Sequence, residues 1–214
     1  MKPWIWSGGE IPGLSVSPRV GSRKRDWLET VPLDETPVPN IRAEKKVRFR
    51  GRRVGIDITW LEDRIAVGGG IWDSPEKMAE VARAGITHII DMQIEWDDTE
   101  LAKPHGIEVC WIPVDDDFQE KPPEVFEKGV EFAERVLEDD GAKLFIHCAA
   151  GVHRAPMMAL ALLAVRRRRL GQAPEQAMEG AMDLIESKRA AADFADVYVC
   201  SVREFLNKRG QSRV

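Results

Sequence analysis

Cysteine, tyrosine and long apolar runs are all scarce in this 214-residue chain, which has three cysteines and a single tyrosine. The cysteines, at positions 110, 148 and 200, are odd in number and lack zinc-ligand spacing, so neither a disulfide framework nor a structural metal site is expected. If one of them matters, it matters as a thiol. The longest apolar run, Met157–Val165, spans nine residues, far short of the roughly 20 that a membrane-crossing helix needs. The start, MKPWIWSGGEIPG, carries a lysine but not the apolar stretch of about 7 to 15 residues of a secretory leader. No membrane insertion is expected, and a cytoplasmic location is the reading these absences favour. Internal repeats and low-complexity tracts are also missing, which excludes solenoid and propeller architectures.

What is present is an ordinary globular composition, 43% hydrophobic and 31% charged with a net charge of -5, and enough chain for one sizeable core. The charge is unevenly spread. Residues 1–53 carry 12 Lys+Arg against 6 Asp+Glu, and the remainder 19 against 30. Six of the 13 prolines also fall before position 40, where neither helical nor alternating periodicity is visible. Residues 1–52 therefore read as a basic, proline-rich N-terminal arm, with Trp4, Trp6 and Trp27 expected to pack on something. Residues 53–210 read as one domain.

In that domain, extended segments are expected at Val54–Trp60 and Arg64–Val67, followed by Gly68, Gly69 and Gly70. Asp73 and Glu76 have capping-box spacing, and Met78, Val81 and Ala82 form a helical stripe that stops at Gly85. Strand-like runs at Thr87–Met92, Ile107–Val114 and Lys143–His147 enclose a helix over Pro123–Leu137. Three helices follow, at about 154–170, 174–188 and 192–208. Strands alternating with helices predict an α/β fold with a central, mostly parallel sheet flanked by helices. Arg166–Arg169 fall in the last turn of their helix, where cations complement the macrodipole, and are expected to crown a solvated end rather than to bind nucleic acid.

The chemistry concentrates in His147-Cys148-Ala149-Ala150-Gly151-Val152-His153-Arg154-Ala155-Pro156, between a buried strand and an apolar helix. A cysteine followed six positions later by arginine has about a one-in-four chance of occurring here, and adding the flanking His and the Gly lowers this to the order of 1 in 2,000. A short loop that ends at a helix N-terminus presents converging N–H groups, and an arginine can grip the same anion through two donors. Such a cradle suits a phosphate. The same positive surroundings favour the thiolate of Cys148, and hence nucleophilic attack on phosphorus.

The H-C-x-x-G-x-x-R pattern resembles the signature loop of the cysteine-dependent protein tyrosine phosphatase superfamily, and the compact layout over about 53–208 is similar to its dual-specificity branch. The resemblance implies a phosphomonoester hydrolase working through a phosphocysteine, with no metal or cofactor. Cys148 would be the nucleophile, Arg154 and the loop residues Ala149, Ala150, Gly151, Val152 and His153 would bind the phosphoryl group, and His147 would support the loop. The general acid of this family comes from a separate loop about thirty residues earlier. Ile112-Pro113-Val114-Asp115-Asp116-Asp117 fits, with Asp116 in register and Asp115 and Asp117 as alternatives. His153 either reaches the pocket rim or points to solvent.

Most family members have Ser or Thr after the arginine, to assist departure of the cysteine sulfur. This chain has Ala155, a variant similar to that of the phosphatases of regenerating liver and of plant glucan phosphatases. The expected substrate is a phosphorylated protein or a small phosphorylated compound. A glucan or inositol phosphate substrate is the alternative, and a catalytically weak phosphate-binding module a second one. No nucleic-acid partner is expected.

Overall fold

The computed structural model describes residues 55–211; the arm expected over 1–52 lies outside the described residues. In chain order the elements are β1 (Asp57–Glu62), β2 (Ile65–Gly69), α1 (Pro75–Arg83), β3 (His88–Gln93), α2 (Thr99–Ala102), β4 (Glu108–Val114), α3 (Pro123–Val136), β5 (Leu144–Cys148), α4 (Arg154–Arg169), α5 (Pro174–Lys188) and α6 (Asp196–Gln211). The strands form one sheet in the order β1-β2-β5-β3-β4. β1 and β2 are an antiparallel hairpin, and the other three pairings are parallel. The mostly parallel α/β sheet read from the sequence is therefore the fold observed.

Strand parity decides what each face buries, because successive side chains point to opposite sides. Leu144, Ile146 and Cys148 of β5 join Ile65, Val67, Ile90 and Met92 in the larger core under α3, α4, α5 and α6. Phe145 instead joins Ala66 and Ile89 in a smaller core under α1 and around Ala102 and Ile107. α4 is apolar on every side from Ala155 to Val165, and all of these residues are buried. A helix with no polar face belongs at the centre of its layer, and here it is packed by α3, α5 and α6. This fixes the helix whose N-terminus meets the end of β5.

Several local expectations are corrected. The α1 cap is Ser74, not Asp73: its hydroxyl accepts from the Lys77 N–H at 3.3 Å, while Asp73 sits at a φ of 49°. α6 begins at Asp196 rather than near 192; the preceding residues are drawn to the loop instead, with the Asp193 N–H donating to the Val152 carbonyl at 2.9 Å. α2 has only four residues, too few for a periodic signal. Arg166 pairs with Glu62 and Arg169 with Glu134, and Arg168 donates to the Leu206 carbonyl, so this helix end is tied to its neighbours rather than merely solvated. No helix among the described residues is long and apolar enough to cross a membrane.

Candidate active site

β5 ends at Cys148 and α4 starts at Arg154, so the five residues between them form a tight loop at the carboxyl edge of the parallel strands. Gly151 turns it at a φ of 66°, a conformation that favours glycine. Its N–H donates to Cys148 Sγ at 3.2 Å. Cys148 is 1% exposed, so a substrate must enter the loop to reach the sulfur. Two supports hold the loop from behind. Gly69 is paired with Cys148, and a Cβ at Gly69 would lie 2.6 Å from the Gly151 nitrogen. Arg189, buried in the turn after α5, donates to the Gly151 carbonyl at 2.7 Å and grips Asp57 and Thr59 of β1.

Arg154 is 3% exposed. Its two η nitrogens donate to the two carboxylate oxygens of Glu95, at 2.8 and 2.9 Å, and one also donates to the Val114 carbonyl at 3.0 Å. Burial works against the guanidinium charge, but Glu95 and the negative groups around it hold the pKa above its ordinary value. Arg154 in turn holds the Glu95 carboxyl below the usual range. The pairing leaves Nε buried and without a hydrogen-bond partner, 3.7 Å from an oxygen of Asp116. That donor is free for a phosphoryl oxygen.

Of the three adjacent acids, Asp116 is the one that meets the loop. One of its oxygens is 3.1 Å from His153 Nδ1, and the other accepts from the Tyr198 hydroxyl at 3.2 Å. Asp117 turns instead to Lys121, which lowers its pKa, and Asp115 is exposed. The Tyr198 hydroxyl also accepts the Phe118 N–H at 3.0 Å; burial and the nearby carboxylates push its pKa to about 12, so it remains a donor. His153 therefore reaches the rim. Its Nε2 lies 3.3 Å from Asp193, and its ring meets the edge of Phe118 at 5.0 Å.

His147 lies under the loop, fully buried and stacked on Phe145 at 5.3 Å. Its Nε2 is 3.2 Å from Asp98 and 3.6 Å from Asp91. Among the described residues, these three alone bring three potential metal ligands within 4.8 Å of one another. Burial raises the Asp91 pKa to about 6, against the pull of His147. Ala149 is buried, Val152 half-buried and Ala150 exposed; none carries charge.

Cys110 lies on β4, with β3 between it and β5. At about 4.8 Å per strand, two strand widths exceed the Cα separation of about 7 Å that a disulfide tolerates. Oxidative pairing of Cys110 with Cys148 is excluded in this fold. Glu95, Tyr198, Asp193 and Arg189 were not legible as site residues, because each acts through a contact with a distant segment and has no local motif.

A family model described as "Dual specificity phosphatase, catalytic domain" matches residues 73–205. The human dual specificity protein phosphatase 26 is 26% identical over 168 residues, covering 75% of this chain and 77% of the relative. Among solved structures, PTPMT1 has a TM-score of 0.59 at 19% identity, covering 73% of this chain and 98% of that one. Human DUSP28 also has a TM-score of 0.59, at 16% identity, covering 73% of this chain and 97% of its own. The glucan, inositol phosphate and silent-module alternatives are not favoured by these matches. With a loop of this geometry inside the matched segment, the chain belongs to the dual-specificity phosphatase catalytic-domain family and is a cysteine-dependent phosphatase.

Proposed function

We propose that the chain hydrolyses phosphomonoesters of proteins through a phosphocysteine at Cys148. The thiolate attacks phosphorus in line, an S–P bond forms as the P–O bond to the leaving group breaks, and Asp116 gives its proton to the departing oxygen. Asp116 then takes a proton from water, which attacks the phosphocysteine, releasing inorganic phosphate and restoring the thiolate. The Arg154 Nε–H and the N–H groups of residues 149–153 hold the phosphoryl oxygens and stabilise the charge that builds on them. His147 supports the loop, while His153 and Tyr198 hold Asp116 at its edge.

The observation that carries this reading is the convergence of three groups: a thiol that accepts an N–H from its own loop, an unpaired buried guanidinium N–H, and a carboxyl 3.7 Å from that guanidinium. A location in the cytoplasm is consistent with it, since a nucleophilic thiol works only where thiols stay reduced. The test is phosphate release from a small aryl phosphate in the presence of a chelator. Cys148→Ser should abolish it, and a wild-type rate in that variant would overturn the mechanism. Asp116→Asn should lower turnover and flatten the basic limb of the pH–rate profile; an unchanged profile would remove Asp116 from the role of acid.

A further inference from the structure

The wall around the catalytic loop has an unusual charge. Four segments form it: 70–76 after β2, 94–100 after β3, 115–120 after β4, and 190–196 before α6. Together they contain 12 Asp and Glu and no Lys, Arg or His. Each segment is anchored to the loop or to its immediate support. Gly69, which leads into the first, rests against Gly151. Glu95 of the second grips Arg154; Asp116 of the third and Asp193 of the fourth both meet His153. Ten of the 12 acids are exposed.

Aromatic groups stand among them. Four of the five exposed large hydrophobic residues of the described chain, Trp72, Ile94, Trp96 and Phe118, lie on three of these segments. Trp72 and Trp96 meet edge to face at 5.9 Å, and Trp72 and Phe118 are both held at a positive φ of 55°. At the centre of this collar is the opposite charge, a buried guanidinium with Nε unpaired.

The two fields act over different ranges. The unpaired Nε–H and the loop amides act over hydrogen-bond distances. The collar acts out to a Debye length of about 8 to 10 Å, where an approaching polyanion meets an excess of negative charge, since Lys77 and Lys121 at the ends of two segments are turned to the Gly70 carbonyl and to Asp117. One phosphoryl group is drawn in at short range, while further phosphates or carboxylates beside it are repelled. Cationic flanks gain twice, from the carboxylates and from the faces of Trp72 and Trp96.

We infer that the collar is a recognition surface for a basic polypeptide segment, one that presents a single phosphorylated residue flanked by lysine or arginine. This rests on the phosphatase reading above and names the substrate class of the same site. It disfavours polyphosphorylated small molecules and phospholipids in an anionic membrane, since both bring further negative charge to the rim.

The test uses three phosphotyrosine peptides of equal length whose flanks are Lys and Arg, Gln, or Glu. Their kcat/KM values are expected to fall in that order by at least about tenfold overall at low ionic strength, and to converge to within about threefold near 0.5 M salt. A combined Asp73→Asn and Glu120→Gln variant should shrink the ratio of basic to acidic peptide, and Trp96→Ala should shrink it independently. A flat series, a preference for the Glu peptide, or faster turnover of a phosphoinositide in anionic vesicles than of the basic peptide would overturn the proposal. Binding of the same peptides to the Cys148→Ser protein separates the two readings. If aryl phosphate is not hydrolysed by the wild type, the phosphatase reading fails, yet the order of peptide affinities still decides the collar.

Discussion

Gly69→Ala is the perturbation whose consequence follows most directly from the geometry. A Cβ at this position would lie 2.6 Å from the Gly151 nitrogen, 2.7 Å from the Ala150 carbonyl carbon and 2.8 Å from the Cys148 carbonyl oxygen. All three are backbone atoms of the catalytic loop, so no flexible side chain can yield. Ordinary contact needs about 3.4 to 4 Å, so β2 and the loop must separate by close to 1 Å. Overpacking on this scale costs roughly 1 to 3 kcal/mol of stability, which for a chain of this size lowers Tm by some degrees, at about 2 to 4 °C per kcal/mol. Activity should suffer more than stability. The Gly151 N–H to Sγ contact is made by the atom being pushed, and a displacement of about 1 Å can cost on the order of 10²-fold in turnover. Thermal unfolding and aryl phosphate turnover would be measured together. Gly141→Ala, where the nearest atom is the Asp139 carboxylate at 3.4 Å, serves as the tolerated control. A Gly69→Ala protein with wild-type Tm and kcat would refute the view that Gly69 forms the seat of the loop.

Three further outcomes are expected. Glu95→Gln replaces a charge-assisted pair on Arg154 with a neutral one, a loss of about 1 to 1.5 kcal/mol; kcat/KM should drop about tenfold, and an unchanged or higher value would mean that Glu95 does not orient the guanidinium. Ala155 is buried at the start of α4 and offers no hydroxyl to the sulfur, so Ala155→Ser should speed phosphoenzyme breakdown, and identical burst and steady-state rates before and after the change would discard that account. Asp91 has a pKa raised by burial from 3.8 to about 6, so the folded state holds its proton more tightly than the unfolded chain does. Its contribution to stability is therefore greatest below about pH 4 and declines as pH rises, by about 3 kcal/mol in all, until it is gone above about pH 6. The stability difference between wild type and Asp91→Asn, from urea unfolding across pH 4 to 7, should move against the wild type as pH rises; a difference independent of pH would remove this titration.

Much of this was legible before any coordinates. Alternating and 3.6-residue periodicities placed the five strands and five of the six helices, because each buries an apolar face large enough to leave a pattern. The exception, α2, has four residues and little face to bury. The loop from His147 to Arg154 was legible because a nucleophile, an anion cradle and a helix start must be contiguous. Register alone put Asp116 ahead of Asp115 and Asp117, but the contacts with His153, Arg154 and Tyr198 that separate it from its neighbours leave no local pattern. Glu95 was invisible for the same reason: it lies 59 residues from its partner, and only the parallel order of β3 and β5 brings the two together. The cap of α1 was misplaced by one residue because Asp73 and Ser74 are both good cap formers, and the backbone turn at Trp72 and Asp73 decides between them.

The position of β5 has a consequence for how the molecule comes into being. It is the last of this sheet's five strands to be synthesised, yet it fills the middle between β2 and β3. Until it arrives, the β1–β2 hairpin and the β3–β4 pair each present an open edge, and neither can close on the other. Unpaired edges invite pairing between chains, so the interval before residue 148 leaves the ribosome is when association between chains is most probable. Insertion of β5 joins the halves and in the same event brings Cys148 between Gly69 and α4. The reactive thiol is thus delivered to its cradle by the step that completes the sheet, and a chain that has failed to assemble its sheet has no assembled nucleophile.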